Sequence, residues 1–139
     1  MAWVNPSYLF DFQTVTMKEL PGDNAWAIDA NDNTDRPGVW IKVGNSIYSA
    51  KGTAKLPLNT WTHLAGTYNG TVLRFYVNGV QVSTRNISGA MPTPSNALRI
   101  GGNSIWGEYF VGIIDEVRVY NRALTQAEIQ QGMNSAIVP

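Results

Sequence analysis

Gly112-Ile113-Ile114-Asp115-Glu116-Val117-Arg118-Val119-Tyr120-Asn121-Arg122-Ala123-Leu124, continuing into Thr125-Gln126-Ala127-Glu128-Ile129, decides how the chain is read. Its first half is dense in β-branched and aromatic residues. Val117 and Val119 alternate with Arg118 and Tyr120, the period of a strand with one face on a core. Its second half opens a helix. Thr125 stands at an N-cap position, and Glu128 three residues later completes a capping-box pattern. Asp115 is a lone carboxylate in the apolar run of Ile113, Ile114 and Val117. A buried carboxylate needs hydrogen bonds, a cation or a metal, because desolvating it alone is costly.

Outward from this stretch the chain alternates short strands with turn signals. Met1 to Pro6 reads as a strand ended by proline, and Gln13 to Lys18 as a half-buried strand. Pro21-Gly22-Asp23-Asn24 turns into a strand over Ala25 to Ala30, with Trp26 and Ile28 on one face. Val39 to Val43 and Ser46 to Ser49 form a hairpin about Gly44-Asn45. Trp61 to Tyr68 and Val72 to Val77 form another about Asn69-Gly70, where both residues tolerate positive φ. Asn78-Gly79 turns into Val80 to Ser83. Residues 86–96 read as loop, Ala97 to Gly101 and Tyr109 to Tyr120 as the last strands, and Thr125 to about Met133 as a short helix. About ten short strands with little helix make an all-β sandwich or barrel.

Composition narrows the function classes. Hydrophobic residues are 44% and charged residues 14% of the 139, which excludes a disordered chain and a solvated helical bundle. Formal net charge is zero, so nothing draws the chain to nucleic acid or to an anionic membrane. Cysteine is absent, and with it any disulfide or thiolate chemistry. No apolar run approaches the ~20 residues of a membrane span. The start at Met1-Ala2-Trp3 reads as that of an excised domain, and no internal boundary divides residues 1–139.

Three ordered blocks carry a resemblance. They are Leu56-Pro57-Leu58-Asn59-Thr60-Trp61-Thr62-His63-Leu64-Ala65-Gly66-Thr67-Tyr68-Asn69-Gly70, Leu73-Arg74-Phe75-Tyr76-Val77-Asn78-Gly79 with Leu98-Arg99-Ile100-Gly101 behind it, and the closing stretch. Together, over most of Leu56 to Ile129, they resemble the concanavalin-A-like, laminin-G-like jelly rolls of bacterial multidomain proteins. Ala2-Trp3-Val4-Asn5-Pro6 matches an early strand more loosely. The resemblance implies an antiparallel two-sheet jelly-roll sandwich with one short C-terminal helix. It also implies calcium at Asp115, since the matching aspartate of relatives often holds a structural ion. Calcium takes six to eight oxygens, and the resemblance places some of them in N-terminal strands that this sequence lacks. Asp115 capping backbone N–H groups or pairing with an arginine is the other reading. A sheet edge left open by those strands invites pairing, hence a homo-oligomer or strand-swapped dimer.

Trp26, Trp40 and Trp106, with Tyr48 and Tyr109, are candidates for a sugar platform, because sugar rings present C–H faces that stack on aromatic planes. Asn31, Asp32, Asn103 and Arg36 are the candidate partners for hydroxyls. These aromatics filling the space between sheets is the alternative, and for Trp61 the core reading prevails. Asp29-Ala30-Asn31-Asp32-Asn33-Thr34-Asp35 begins like an EF-hand loop, but Thr34 replaces its glycine and Trp40 its bidentate glutamate, so it reads as a solvated connection. His63, the only histidine, reads as structural and hydrogen-bonded. Arg118 and Arg122 read as surface partners of Glu116 or Glu128.

Nothing supports catalysis. Retaining jelly-roll glucanases set two glutamates ~5 Å apart from a Glu-x-Asp-x(x)-Glu strand, and Glu19, Glu108, Glu116 and Glu128 make no such pattern. The expectation is a non-catalytic binding module of a larger extracellular or cell-surface protein. It recognises a glycan or a cell-surface protein and inserts into no membrane. The alternative is an assembly domain pairing through an open sheet edge, and a third reading is a glucanase fragment without its active-site strand.

Overall fold

The structure, a computed structural model, describes residues 1–138. Its order is β1 (Ala2–Tyr8), β2 (Gln13–Leu20), β3 (Asp23–Asn31), β4 (Gly38–Val43), β5 (Ser46–Lys51), β6 (Thr62–Tyr68), β7 (Val72–Val77), β8 (Val80–Asn86), β9 (Leu98–Ile100), β10 (Val111–Asp115) and α1 (Gln126–Met133). One sheet runs β10-β1-β6-β7-β8 and the other β5-β4-β3-β2-β9. The strand pairs in both sheets are antiparallel. Val4, Leu64, Leu73 and Phe75 of the first sheet pack on Val15, Ile28, Val39 and Ile41 of the second. This is the antiparallel jelly-roll sandwich that the strand pattern and the resemblance predict.

The two sheets approach closely at Gly66 of β6. A Cβ there would lie 2.6 Å from Val39 Cγ2, so glycine is what lets the opposing strand in. On the outer face of the first sheet, Ile129 of α1 packs with Met1, Ala65, Tyr76 and Leu124. The helix begins with the predicted capping box between Thr125 and Glu128. Arg118 pairs with Glu116 at 2.8 Å and Arg122 with Glu128 at 2.7 Å, as read from the sequence.

Several local expectations are corrected. The closing strand ends at Asp115, because Glu116 takes φ +53° and breaks the ladder. Val117 still packs against the core, but Val119 is 54% exposed. Ile114 turns inward opposite Val4, which leaves its neighbour Ile113 facing out and exposed. Asp115 is exposed rather than buried. Trp61 precedes β6 and is 43% exposed, outside the core. At Asn69-Gly70 only Gly70 has positive φ. Asn69 instead uses its Oδ1 to accept from the N–H groups of Thr71 and Val72 at 3.0 and 2.8 Å. The ring of His63 packs edge-on against Trp3 at 5.3 Å, and its buried Nδ1 has no hydrogen-bond partner. Burial pushes its pKa down to about 4, so the ring is neutral.

The sandwich is closed on one side and open on the other. Where β5 meets β8, Arg85 lies over the Tyr48 ring at 5.1 Å. On the opposite side β9 and β10 each end their sheet. Leu98 and Ile100 stand on the inner face, in cross-strand rows with Trp26 and Ile28, yet they are 45% and 57% exposed. Trp26, Tyr68, Met91, Leu98 and Val119 line a cleft of about 560 Å³ there.

Gly66→Ala should destabilise the fold by about 1–3 kcal/mol through overpacking. Adding Val39→Ala should recover part of that loss. Chemical denaturation of the single and double variants measures both, and an unaffected single variant would contradict the close approach.

Candidate functional site

Strand alternation sorts the aromatic candidates onto two faces. In the second sheet Arg99, Met17, Ala27, Trp40 and Ser49 form one cross-strand row. Leu98, Lys18, Trp26, Ile41 and Tyr48 form the next. Ile41 is in the core, and Trp26 and Tyr48 pack against it. Trp40 therefore points outward, and the sequence's grouping of five aromatics into one platform is corrected for Trp26 and Tyr48, which face the core.

Trp40 lies over Gly38, where a Cβ would come within 2.8 Å of its Cη2. Its cross-strand neighbours Ala27 and Ser49 are small, and the indole is half-buried. Phe12 meets the ring edge-on at 5.9 Å. Lys51 Nζ is 5.9 Å from its centroid, within cation–π range. The same ammonium lies 2.5 Å from Asp32 Oδ2.

The loop between β9 and β10 covers part of this face. Asn103 is its anchor: Nδ2 donates to Thr14 Oγ1 at 3.0 Å and to Glu108 Oε2 at 2.9 Å, while Oδ1 accepts from the Trp106 N–H at 2.7 Å. Ser104 donates from its backbone and its hydroxyl to Glu19 Oε1 at 2.9 and 2.8 Å. These donors, Ser104 N–H foremost, hold the Glu19 carboxyl below its usual range. Glu19 also pairs with Arg99 at 3.3 Å. So anchored, the loop presents Trp106 at 51% exposure, with Tyr109 exposed beside Gly102.

Asn31, Asp32 and Asn103 are buried and shape the loops instead of facing solvent. Asn31 Nδ2 donates to Asp11 O and Asp32 O, both at 2.9 Å. Asp32 Oδ1 accepts from Thr34 N–H at 2.8 Å, Thr34 Oγ1 at 2.7 Å and Arg36 N–H at 3.2 Å. The stretch read as a solvated connection is thus buried strand through Asn31, and exposed only over 33–36. Asp29, opposite Thr14, is fully buried, and desolvation raises its pKa to about 8. Thr14 and Glu108 were not singled out from the sequence, nor were Phe12, Lys51 and Arg99. Extending β5 two residues past Ser49 puts Lys51 on Trp40's face, the one signal available for it.

Asp115 stands opposite Trp3, and its Oδ1 accepts the Glu116 N–H at 2.8 Å, which is the backbone-capping arrangement. Among the described residues, no three His, Cys, Asp or Glu side chains are placed to share an ion.

Known proteins can now be set beside this geometry. The family model of the concanavalin A-like lectin/glucanases superfamily matches residues 1–130. The chain belongs to that superfamily. Domain 4 of AbnA, an extracellular arabinanase from Geobacillus stearothermophilus solved in complex with arabinotriose, superposes with a TM-score of 0.78 at 27% identity. That match covers 94% of this chain and 63% of the other. A putative carbohydrate binding protein from Bacteroides ovatus gives a TM-score of 0.74 at 28% identity, over 94% of this chain and 38% of that one. Mouse pappalysin-1 is 32% identical over 80 residues, 54% of this chain and 5% of its own length. The superfamily member described here thus spans under two thirds of each of these relatives. Its structural neighbours include carbohydrate-binding domains.

Asp29 should leave a pH signature. Its folded pKa of about 8 lies above the ordinary aspartate value of 3.8, so the folded state holds the extra proton. The stability tied to that proton is full below the unfolded pKa and is lost as pH rises through about 8. His63 is shifted in the opposite sense, so comparison with Asp29→Asn isolates the Asp29 share. In chelator-treated buffer, wild-type stability should fall steadily relative to the variant from about pH 4 to about pH 8 and level off above that. Parallel stability curves would refute it.

Proposed function

We propose that this chain is a non-catalytic carbohydrate-binding module of a larger extracellular protein, taking an oligosaccharide on the outer face of the second sheet. Trp40, outward-facing and half-buried, braced by Gly38, Phe12 and Lys51, carries this reading. A sugar ring stacks on the indole through its C–H face. Trp106 offers a second plane from the loop, and Lys51 and Arg99 offer donors to hydroxyls. Support comes from the arabinotriose held by AbnA domain 4 and from the carbohydrate binding named for the Bacteroides protein. The extracellular placement follows AbnA. Glu19, Asp32 and Glu108 are engaged in hydrogen bonds and ion pairs that hold loops, which favours binding over hydrolysis.

Calorimetry with arabinotriose, followed by a glycan array, tests the proposal. Trp40→Ala and Trp106→Ala should each weaken binding about tenfold or more, ~1.4 kcal/mol. Trp26→Ala, on the inner face, should lower Tm and leave affinity unchanged. A folded sample silent across the array would remove the glycan reading, and loss of binding on Trp26→Ala alone would move the site into the cleft.

The open side favours a second reading, assembly through strand pairing. Leu98, Ile100 and Val119 are exposed beside the free edges of β9 and β10, and free edges of this kind template pairing. Light scattering should then show a concentration-dependent dimer; a monomer at every concentration would remove it.

A further inference from the structure

β6 lies in the interior of the first sheet, yet one of its flanks is only half covered. β1 pairs with it from Thr62 to Leu64, whereas β7 pairs with it as far as Tyr68. His63 shows which way the backbone faces. Its carbonyl accepts from the Asn78 N–H at 2.8 Å, and its own N–H donates to Asn78 Oδ1 at 2.9 Å. Hydrogen-bonding direction alternates along a strand. Ala65 and Thr67 therefore address β7, as His63 does, while Gly66 and Tyr68 address the other flank. Among the described residues, nothing on that flank bonds the N–H and C=O groups of Gly66 and Tyr68.

Across from this flank runs the segment that follows β10. Arg118 exchanges two backbone hydrogen bonds of 2.8 Å with Met1, and the next residue, Ala2, pairs with Leu64. At the level of Met1 the two walls are thus one strand apart. Beyond that level Gly66, Thr67 and Tyr68 face Val119, Asn121 and Arg122 across a slot of about 390 Å³. Ile28, Val39, Ile41 and Leu73 of the core form its floor. Thr67 adds a second observation. It is 8% exposed and lines the slot, and its Oγ1 has no hydrogen-bond partner.

We propose that this slot takes an extended peptide of a partner protein as an added strand, antiparallel to β6, with the side-chain order apolar, hydroxyl, apolar. Directly opposed residues of an antiparallel pair point to the same face. Gly66 faces Val39, and Tyr68 packs on the core, so the peptide residues opposite them turn onto the apolar floor. Thr67 points the other way, as Ala65 does beneath α1, so the residue between them meets its Oγ1. A serine or threonine there donates to that oxygen, a cross-strand hydroxyl pair that sheets favour. Main-chain bonds to Gly66 and Tyr68 supply affinity, and the alternating side chains supply selectivity. The strands on the open side of the sandwich, Leu98-Arg99-Ile100 and Val111-Gly112-Ile113, have no hydroxyl at the centre, so a second copy does not offer this order there. The walls of the slot are β6 and residues 119–122, not the β9 and β10 edges, and the proposal is independent of glycan binding.

An acetylated and amidated Gly-Val-Thr-Val-Gly peptide is the probe, added to the full 139-residue chain. Tryptophan fluorescence follows it, since Trp26 lines the slot. The peptide should bind, and the amides of Gly66 and Tyr68 should gain at least tenfold protection from hydrogen exchange. Replacing its threonine by valine should weaken binding about fivefold in the wild type. The same replacement should change nothing in Thr67→Val, which keeps the shape and loses the acceptor. N-methylation of both peptide valines should abolish binding. No binding to the wild type, binding that leaves those two amides unprotected, or equal affinity of the wild type for the threonine and valine peptides would overturn the proposal. So would a concentration-dependent dimer that protects the same amides without peptide, because the slot would then belong to a second copy.

Discussion

A side chain on a strand has only two directions, and in the second sheet both are occupied by buried groups. The inner direction holds Val15, Ile28, Val39 and Ile41 against the first sheet. The outer direction holds Met17, Ala27, Thr14, Asp29 and Asn31, all shielded from water. That second burial depends on the loop from Gly101 to Phe110, which Asn103 and Ser104 tie to β2. The core makes the fold; the outer cover makes a surface on which Trp40 and Trp106 share one side.

Much of the fold could be read from the chain because its signals were local. The capping box at Thr125 and Glu128 needs only adjacent residues, and the structure contains it. Asn78-Gly79 takes two positive φ values, 49° and 73°, as a two-residue hairpin turn requires. Misreadings arose where a distant partner decided. Glu116 adopts a left-handed conformation and carries its carboxylate to Arg118 and the Ile137 N–H, which no strand period reveals. Trp61 sits in an apolar block but just outside β6, so no opposing strand covers it.

The candidate site was legible as a list of residue types and illegible as a place. Trp26 and Trp40 both follow strand periods, but which period faces the core depends on cross-strand register. Asn31 and Asp32 looked like loop residues free to meet a ligand. Their burial follows from β3 running on to Asn31, with Asp11, the 32–36 turn and Lys51 closing around the two side chains, a tertiary event. Lys51 needed the same knowledge, since its two contacts, the Asp32 carboxylate and the Trp40 ring, come from separate parts of the chain.

The threefold role of Asn103 has a further consequence. Its one amide joins β2 through Thr14, the far side of the loop through Glu108, and the loop apex through the Trp106 backbone. A loop moored this way has already surrendered its freedom during folding. Any partner meeting Trp106 therefore encounters a rigid prow, and the entropy of ordering that segment is absent from the cost of association. Selectivity at such a prow rests on shape, because the surface does not remould itself to suit each visitor.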